Sequence, residues 1–127
     1  MPRMARPEFT CTVRVQYLPE KSQPPGGPFA FSYTVTITNT GAVTAQLVAR
    51  HWVITDAGGR VEEVRGLAVV GHQPLLKPGE SFEYSSWVRI ETTHGQMRGT
   101  FLCVTEDARP FEAPVPEFAL VYPGALH

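Results

Sequence analysis

Hydrophobic and polar residues alternate along most of this 127-residue chain, a pattern typical of half-buried β-strands. In residues 9–18, Cys11, Val13, Val15 and Tyr17 occupy every second position, so one face is apolar and the other polar. No segment shows a convincing helical period. Further segments with strand character are residues 29–39, 46–55, 60–65, 81–90, 95–106 and 111–122. The pattern predicts an all-β protein of about seven strands.

Short turns rich in glycine, asparagine and proline separate these segments, for example at Asn39–Gly41 and Ala57–Gly59. Trp52 lies in the middle of the third strand, where a large ring can fill the space between two sheets. Strict alternation places Trp52 on one face of this strand with Arg50 and on the opposite face from Leu47. We therefore expect an antiparallel, immunoglobulin-like β-sandwich whose core is built around Trp52.

A glycine-containing loop, GLAVVGHQPLLKPGE at residues 66–80, has the appearance of a phosphate-binding loop. His72 and Gln73 stand where such a loop has lysine and serine or threonine, and no helix is predicted after it. We therefore expect Gly66 and Gly71 to shape a crossing between strands. Phosphate, pyrophosphate or nucleotide binding by the loop is the alternative. Its candidate residues are Arg65, Gly66, Gly71, His72 and Lys77.

Several segments together resemble the ApaG family of small bacterial proteins, also called CorD. They are FSYTVTITN (31–39), RHWVITDAGGRVEEVRG (50–66), VVGHQPLLKPGESFEYSS (69–86), ETTHGQMRGTF (91–101) and VPEFALVYPGALH (115–127). The resemblance implies a fibronectin type III-like β-sandwich and a family-level association with cobalt and magnesium tolerance. The family usually has G-x-G-x-x-G in the loop, and Ala68 replaces its middle glycine here.

The resemblance also bears on function, because related domains occur fused in eukaryotic F-box proteins and in a polymerase-delta-interacting protein. It implies a module that binds another protein and is not an enzyme. The residues agree, since no serine lies in G-x-S-x-G and both cysteines are expected in apolar surroundings that keep a thiol unreactive. We expect no cofactor.

Two features of the strands suggest where a partner could bind. Trp87 falls on the polar face of residues 81–90, and an exposed tryptophan is a common interface anchor. The alternative is that a loop, such as the one at Pro24 and Pro25, covers the ring. Prolines mark the last segment as an edge strand. Phe118, Leu120 and Tyr122 share one of its faces, which predicts an apolar strip for a protein partner or a homodimer.

Charge and cysteine content limit the remaining classes. Eleven basic and twelve acidic residues give a formal net charge of −1, which favours neither nucleic acid nor a membrane surface as partner. Cys11 and Cys103 alternate with core positions, so two buried, reduced thiols are favoured over a disulfide. We expect a cytoplasmic single domain over residues 1–127, with a flexible terminus at 1–8.

Metal binding has little support in the sequence. Four dispersed histidines lack the short spacing of a zinc site; they are His51, His72, His94 and His127. Divalent-cation binding remains an alternative if Glu62, Glu63 and His72 meet at one end of the sandwich. Charged residues on a solvated strand edge explain the same pair of glutamates, so we expect no metal site.

Overall fold

The structure is a computed structural model that describes residues 5–125. Its strands are β1 (Phe9–Tyr17), β2 (Phe29–Asn39), β3 (Ala45–Asp56), β4 (Val61–Leu67), β5 (Leu75–Leu76), β6 (Ser81–Ile90), β7 (His94–Thr105) and β8 (Pro110–Val121). Two 3₁₀ turns, at Pro19–Lys21 and Pro123–Ala125, complete the regular structure, and no α-helix occurs within the described range. The all-β prediction is confirmed, with the two-residue β5 as an addition.

The strands form two antiparallel sheets that pack face to face. One sheet has the order β1-β2-β6, and the other has the order β4-β3-β7-β8, with β5 paired to one end of β3. We call them the small sheet and the large sheet. β1 and β6 are the edges of the first, and β4 and β8 are the edges of the second. The predicted fibronectin type III-like sandwich is confirmed.

Trp52 lies at the centre of the core, as predicted. Only 2% of its surface is exposed, and its ring makes edge-to-face contacts with Tyr33 and Phe101 at centroid distances of 5.4 and 5.8 Å. Gly99 on the neighbouring strand β7 leaves room for the indole, because a Cβ there would overlap the Trp52 ring. The indole therefore packs between the two sheets, and this packing requires a residue without a side chain at position 99.

A β-bulge in β3 changes which residues face the core. Leu47 pairs with Cys103 and Ala49 pairs with Leu102, so β3 has one more residue than β7 at this point. Leu47 is consequently fully buried on the same side as Trp52. The expectation that Leu47 lies on the opposite face is wrong, because strict alternation does not survive the inserted residue.

A second irregularity lies in β8. Met97 pairs with Phe118 and Gly99 pairs with Val115, so β8 has an extra residue between these pairs. Val115 and Phe118 both pack toward the core as a result. The bulge therefore keeps both halves of this edge strand packed on the core.

Buried Asn39 ties the end of β2 to its surroundings. Its Nδ2 donates hydrogen bonds to the carbonyl oxygens of Val43 and Leu76 at 2.9 and 2.8 Å, and its Oδ1 accepts one from the Gly41 N–H at 3.0 Å. Because its donors and acceptor are satisfied, a polar side chain only 1% exposed is tolerated here. The asparagine links the loop after β2 to β5.

The terminus expected to be flexible is residues 1–8, and residues 1–4 of it lie outside the described range. The structure describes residues 5–8. The carbonyl oxygens of Arg6 and Glu8 accept hydrogen bonds from the backbone of Ala42 and Gly41, both at 2.9 Å. These bonds hold the approach to β1 against the turn after β2. A Cβ on Gly41 would overlap this segment, which explains the glycine.

Candidate functional site

The glycine-containing loop is a tight hairpin. Val70 and Gly71 have φ values of 48° and 80°, as the two central residues of a type I′ turn require. Val69 and His72 exchange backbone hydrogen bonds at 2.8 and 2.9 Å around them. Strand β5 follows, so the loop lacks the helix N-terminus of a phosphate-binding loop. Gly71 lies in a turn, as predicted.

The other two positions of the family's glycine pattern also have structural explanations. Gly66 lies within β4, where a Cβ would stand only 2.9 Å from both terminal guanidinium nitrogens of Arg50. The expectation that Gly66 shapes a crossing is therefore wrong; it makes room for an arginine. Ala68 has φ 67°, in the left-handed region that favours glycine. Positive φ values thus explain positions 68 and 71 of the pattern, and the Arg50 side chain explains position 66.

The three basic residues of the loop alternative lie in different surroundings. Arg65 is 3.7 Å from the Glu63 carboxylate, and the His72 ring packs on Phe82 at 5.5 Å. The Lys77 backbone N–H donates to the Glu80 carboxylate at 2.7 Å. Within residues 5–125 no hydrogen bond or ion pair joins Arg65, His72 and Lys77 to one another. The loop therefore presents them separately.

The glutamates of the cation alternative point in opposite directions, because consecutive strand residues alternate between faces. Glu63 lies on the outer face of the large sheet, 2.8 Å from His51 Nε2, whereas Glu62 faces the gap between the sheets. His72 packs on Phe82 and joins neither. The described part of the chain contains no group of three or more histidine, cysteine or acidic side chains suited to a metal ion.

Trp87 is exposed on edge strand β6, as the alternation predicted. Of its surface, 48% remains accessible to solvent. The Lys21 ammonium lies 4.9 Å from the ring centroid, and the Arg89 guanidinium carbon lies 5.8 Å away. Both are cation–π distances. The two cations contact the ring while leaving about half of the residue exposed.

Beside Trp87, the two sheets separate along the open side of the sandwich. Strands β4 and β6 are edges there, and neither pairs with the other. A cleft of about 460 Å³ lies between them and reaches the core. We call it the edge cleft. Its lining includes Tyr33, Arg50, Trp52, Ile54, Glu62, Val64, Ser86, Trp87, Val88, Arg89, Glu91 and Met97.

Arg50 is the charged residue that lies beside Tyr33 and Ser86 in the edge cleft. Its Nη1 donates hydrogen bonds to the carbonyl oxygens of Leu67 and Ala68 at 2.8 and 2.9 Å, so it also fixes the end of β4. No carboxylate among residues 5–125 lies within ion-pair distance of the guanidinium. The alternation contains a signal for this residue, since it places an arginine on the same face as Trp52.

Two hydroxyl groups lie with Arg50 in the cleft. Tyr33 and Ser86 are register partners on β2 and β6, and burial raises the pKa of the Tyr33 phenol, while Ser86 and the Arg50 charge oppose the increase. Tyr33 is therefore a neutral hydroxyl at physiological pH. The inner end of the cleft combines a cation with neutral hydrogen-bonding groups.

The apolar strip predicted on β8 is not exposed. Leu120 is fully buried, and Phe118 and Tyr122 pack against the core, where Tyr122 contacts Phe29 at a centroid distance of 5.0 Å. The three residues share one face, as predicted, but this face packs on the core, so the expected exposed strip is wrong. β8 is an edge strand, as predicted, but its exposed positions are proline, glutamate and alanine side chains.

Exposed apolar residues instead occur on the outer face of the large sheet. Leu67, Leu75 and Leu102 are 72%, 60% and 46% exposed. Ala49 pairs with both Leu67 and Leu102, so these two leucines share one row across the sheet. This face lies on the opposite side of the large sheet from the core and provides a matched control surface for Trp87.

Neither cysteine provides a reactive thiol. Cys11 and Cys103 are buried and free, as expected, and burial raises the pKa of both thiols to about 12. A thiol that stays protonated at neutral pH is a poor nucleophile. Within residues 5–125 no helix is both long and apolar enough to cross a membrane.

Comparison with known proteins agrees with this geometry. The family model described as the ApaG domain matches residues 19–105. The chain belongs to the ApaG family. Protein ApaG of Ralstonia nicotianae is 62% identical over 98% of this chain and 100% of its own length. Protein ApaG of Bordetella pertussis is 53% identical over 94% of this chain and 92% of its own.

A solved structure extends the family comparison to three dimensions. The crystal structure of the putative ApaA protein from Bordetella pertussis matches with a TM-score of 0.89 at 53% identity, covering 92% of this chain and 95% of that one. A second solved structure matches with a TM-score of 0.87 at 39% identity, covering 94% and 91%. The same sandwich fold therefore occurs in both of these solved structures.

Proposed function

We propose that this ApaG-family chain is a protein-binding module without catalytic chemistry, whose partner docks on Trp87 and the adjoining edge cleft. The observation that supports it is the half-exposed indole on an edge strand, held by Lys21 and Arg89 at the mouth of a cleft. Large aromatic residues and arginines dominate the energetics of protein interfaces.

Trp87 is preorganised for contact with a partner. Covering the exposed half of an indole removes apolar area from water, at roughly 25 cal/mol per Å². Contacts with two cations already restrict the ring, so less side-chain entropy is lost when a partner covers it. A flexible exposed side chain would give a weaker anchor for the same area. Trp87 is therefore a better anchor for a partner than the exposed leucines on the outer face of the large sheet.

The remaining family expectations fit this proposal as indirect effects. Under this proposal the chain acts in the cytoplasm, where its two buried thiols remain reduced. The cobalt and magnesium tolerance that the family resemblance implies then arises through the bound partner. A second copy of the chain is one possible partner under the same physics, and it is distinguished by measuring size in solution.

The test is capture of partners from the source cell with the intact chain, with Trp87→Ala and with Leu102→Ala as a matched control. Leu102 is exposed to a similar degree, 46% against 48%, but lies on the other sheet. We expect Trp87→Ala to lose a partner that Leu102→Ala retains. An unchanged partner set with both variants, together with an unchanged size by light scattering, would refute the proposal.

A further inference from the structure

Arg50 places a cation in the interior of the edge cleft without an acidic partner from its own chain. Only Nη1 is bonded within residues 5–125, to the Leu67 and Ala68 carbonyls, so Nη2 and Nε keep unused N–H donors. A half-buried guanidinium with unused donors favours an acceptor of opposite charge. Carboxylate and phosphate groups both have oxygens that match the guanidinium fork, and the carboxylate is the one that an unmodified protein segment carries.

The acidic residues that line the cleft lie at the opposite end from Arg50. Arg50, Tyr33 and Ser86 lie at one end, whereas Glu62 and Glu91 lie toward Ile54 at the other, beside Arg89. Arg50 and Ile54 are four residues apart on β3, which corresponds to about 13 Å. The acidic pair therefore does not neutralise Arg50, and a ligand carboxylate at the inner end meets only a cation and two hydroxyl groups.

The cleft walls also have the backbone that an extended chain requires. β6 has one strand neighbour, β2, and β4 has one, β3, in the described sheets. Edge strands present unpaired N–H and C=O groups at alternate residues, and an added strand can pair with them. The open edges of β4 and β6 flank the cleft on both sides, so a peptide lying along it reaches the backbone and Arg50 together.

We propose that the edge cleft binds an extended peptide segment of a partner protein, with an aspartate or glutamate side chain paired to Arg50. The main chain of the segment adds to an open strand edge, and Trp87 covers its flank. This inference rests on the proposed protein-binding function and specifies the chemistry of the segment that binds. Gly66 is part of the site, because a side chain at this position would displace the guanidinium.

The probe is a pair of five-residue peptides, acetyl-Thr-Val-Glu-Val-Thr-amide and its glutamine analogue, titrated into the isotope-labelled full chain at low salt. We expect the glutamate peptide to shift the backbone amides of β4 and β6 and to bind at least about tenfold more tightly than the glutamine peptide. Equal binding of the two peptides, or shifts confined to the outer face of the large sheet, would overturn the proposal.

A variant that leaves Arg50 in place separates binding from stability. Ser86→Glu puts a carboxylate of the chain itself into the cleft, where it competes for the guanidinium. Ser85→Glu adds the same charge one residue away on the outer face of β6. We expect the Ser86 variant to lose the preference for the glutamate peptide and the Ser85 variant to keep it. The same preference in both variants counts against the cleft.

The two proposals can fail separately. If Trp87→Ala loses a cellular partner while neither peptide binds, the protein-binding function stands and the acidic segment is wrong. If Trp87→Ala retains every partner, protein binding at Trp87 fails whatever the peptides do. A tenfold preference for glutamate that disappears in Ser86→Glu supports the cleft assignment directly.

Discussion

At the scale of single residues, Ala68 is held in a backbone conformation that glycine would adopt more easily. Its φ is 67°, and an L-residue in the left-handed region costs about 1–2 kcal/mol, whereas glycine costs about 0.5–1 kcal/mol in unfolded-state entropy. We therefore expect Ala68→Gly to stabilise the chain by about 0.5–1 kcal/mol, measured by urea unfolding.

Ala57→Gly is the control for this prediction. Ala57 lies in the exposed turn after β3 and is not among the residues with positive φ. The substitution there adds entropy to the unfolded chain without relieving strain, so a loss of up to about 1 kcal/mol is expected. A decrease in stability for both variants would show that Ala68 is unstrained.

Gly99 gives a second prediction at this scale. A Cβ at this position would overlap the Trp52 ring and lie 2.9 Å from the His51 carbonyl oxygen. Overfilling a packed core costs about 1–3 kcal/mol. Gly99→Ala should therefore lower the free energy of unfolding by that amount and change the near-ultraviolet circular dichroism of the indole.

A neutral glycine replacement shows whether the effect of Gly99→Ala is specific. Gly26 lies in the loop before β2, and a Cβ on it would meet no heavy atom of the described residues within 4 Å. Gly26→Ala should change stability by less than about 0.5 kcal/mol. Similar losses in the two variants would contradict the steric account of Gly99.

At the scale of elements, the acidic pair in β4 is expected to keep this edge from pairing with the same edge of a second copy of the chain. Glu62 and Glu63 are exposed on an unpaired strand edge, and charged residues on such edges oppose association. Replacing both by valine leaves a strand rich in apolar residues. We predict concentration-dependent self-association of this double variant by light scattering.

The matched control changes the same charge away from any strand edge. Glu20→Val with Glu106→Val replaces two exposed glutamates in a 3₁₀ turn and in the turn after β7. This variant should remain at the size of the unmodified chain. If it associates as strongly as the β4 variant, the loss of charge and not the strand edge is responsible.

Alternation predicts the strands well, because each strand packs one face on a single core. It predicts Trp52 inside and Trp87 outside for the same reason. It fails at Leu47, where a bulge shifts the alternation by one residue. It correctly puts Phe118, Leu120 and Tyr122 on one face, but it does not show that this face packs on the core. A bulge depends on pairing with the neighbouring strand, which no local pattern reports.

The candidate site is also predicted only in part by the alternation. Alternation identifies Trp87, because the exposure of this residue follows from its own strand. It places Arg50 on the face of Trp52 but does not show its role, since that role depends on the distance from Glu62 and Glu91 and on the open edges of two different strands. Gly66 is wrongly predicted because nearby glycines suggest a turn, whereas the reason for this glycine lies in a side chain on β3.

At the scale of the whole molecule, the core determines how stability responds to alkaline pH. Burial raises the pKa of Cys11 and Cys103 from 9.0 to about 12. Between these values the unfolded chain has released both protons and the folded chain still holds them. Since stability falls with pH wherever the folded state binds more protons, each thiol removes about 1.4 kcal/mol per pH unit in this window.

The prediction is that the free energy of unfolding decreases steadily above pH 9, while the thiol contribution is constant below it. Burial also raises the pKa values of Tyr33 and Tyr84, so the tyrosines act in the same direction above pH 10. Urea unfolding of the reduced chain at a series of pH values measures the slope. Cys11→Ala with Cys103→Ala should be less stable at pH 7 because of the lost packing, yet should show a shallower slope between pH 9 and 10. An identical slope in this variant would mean that the thiols titrate alike in the folded and unfolded chains, which is incompatible with their burial between the two sheets.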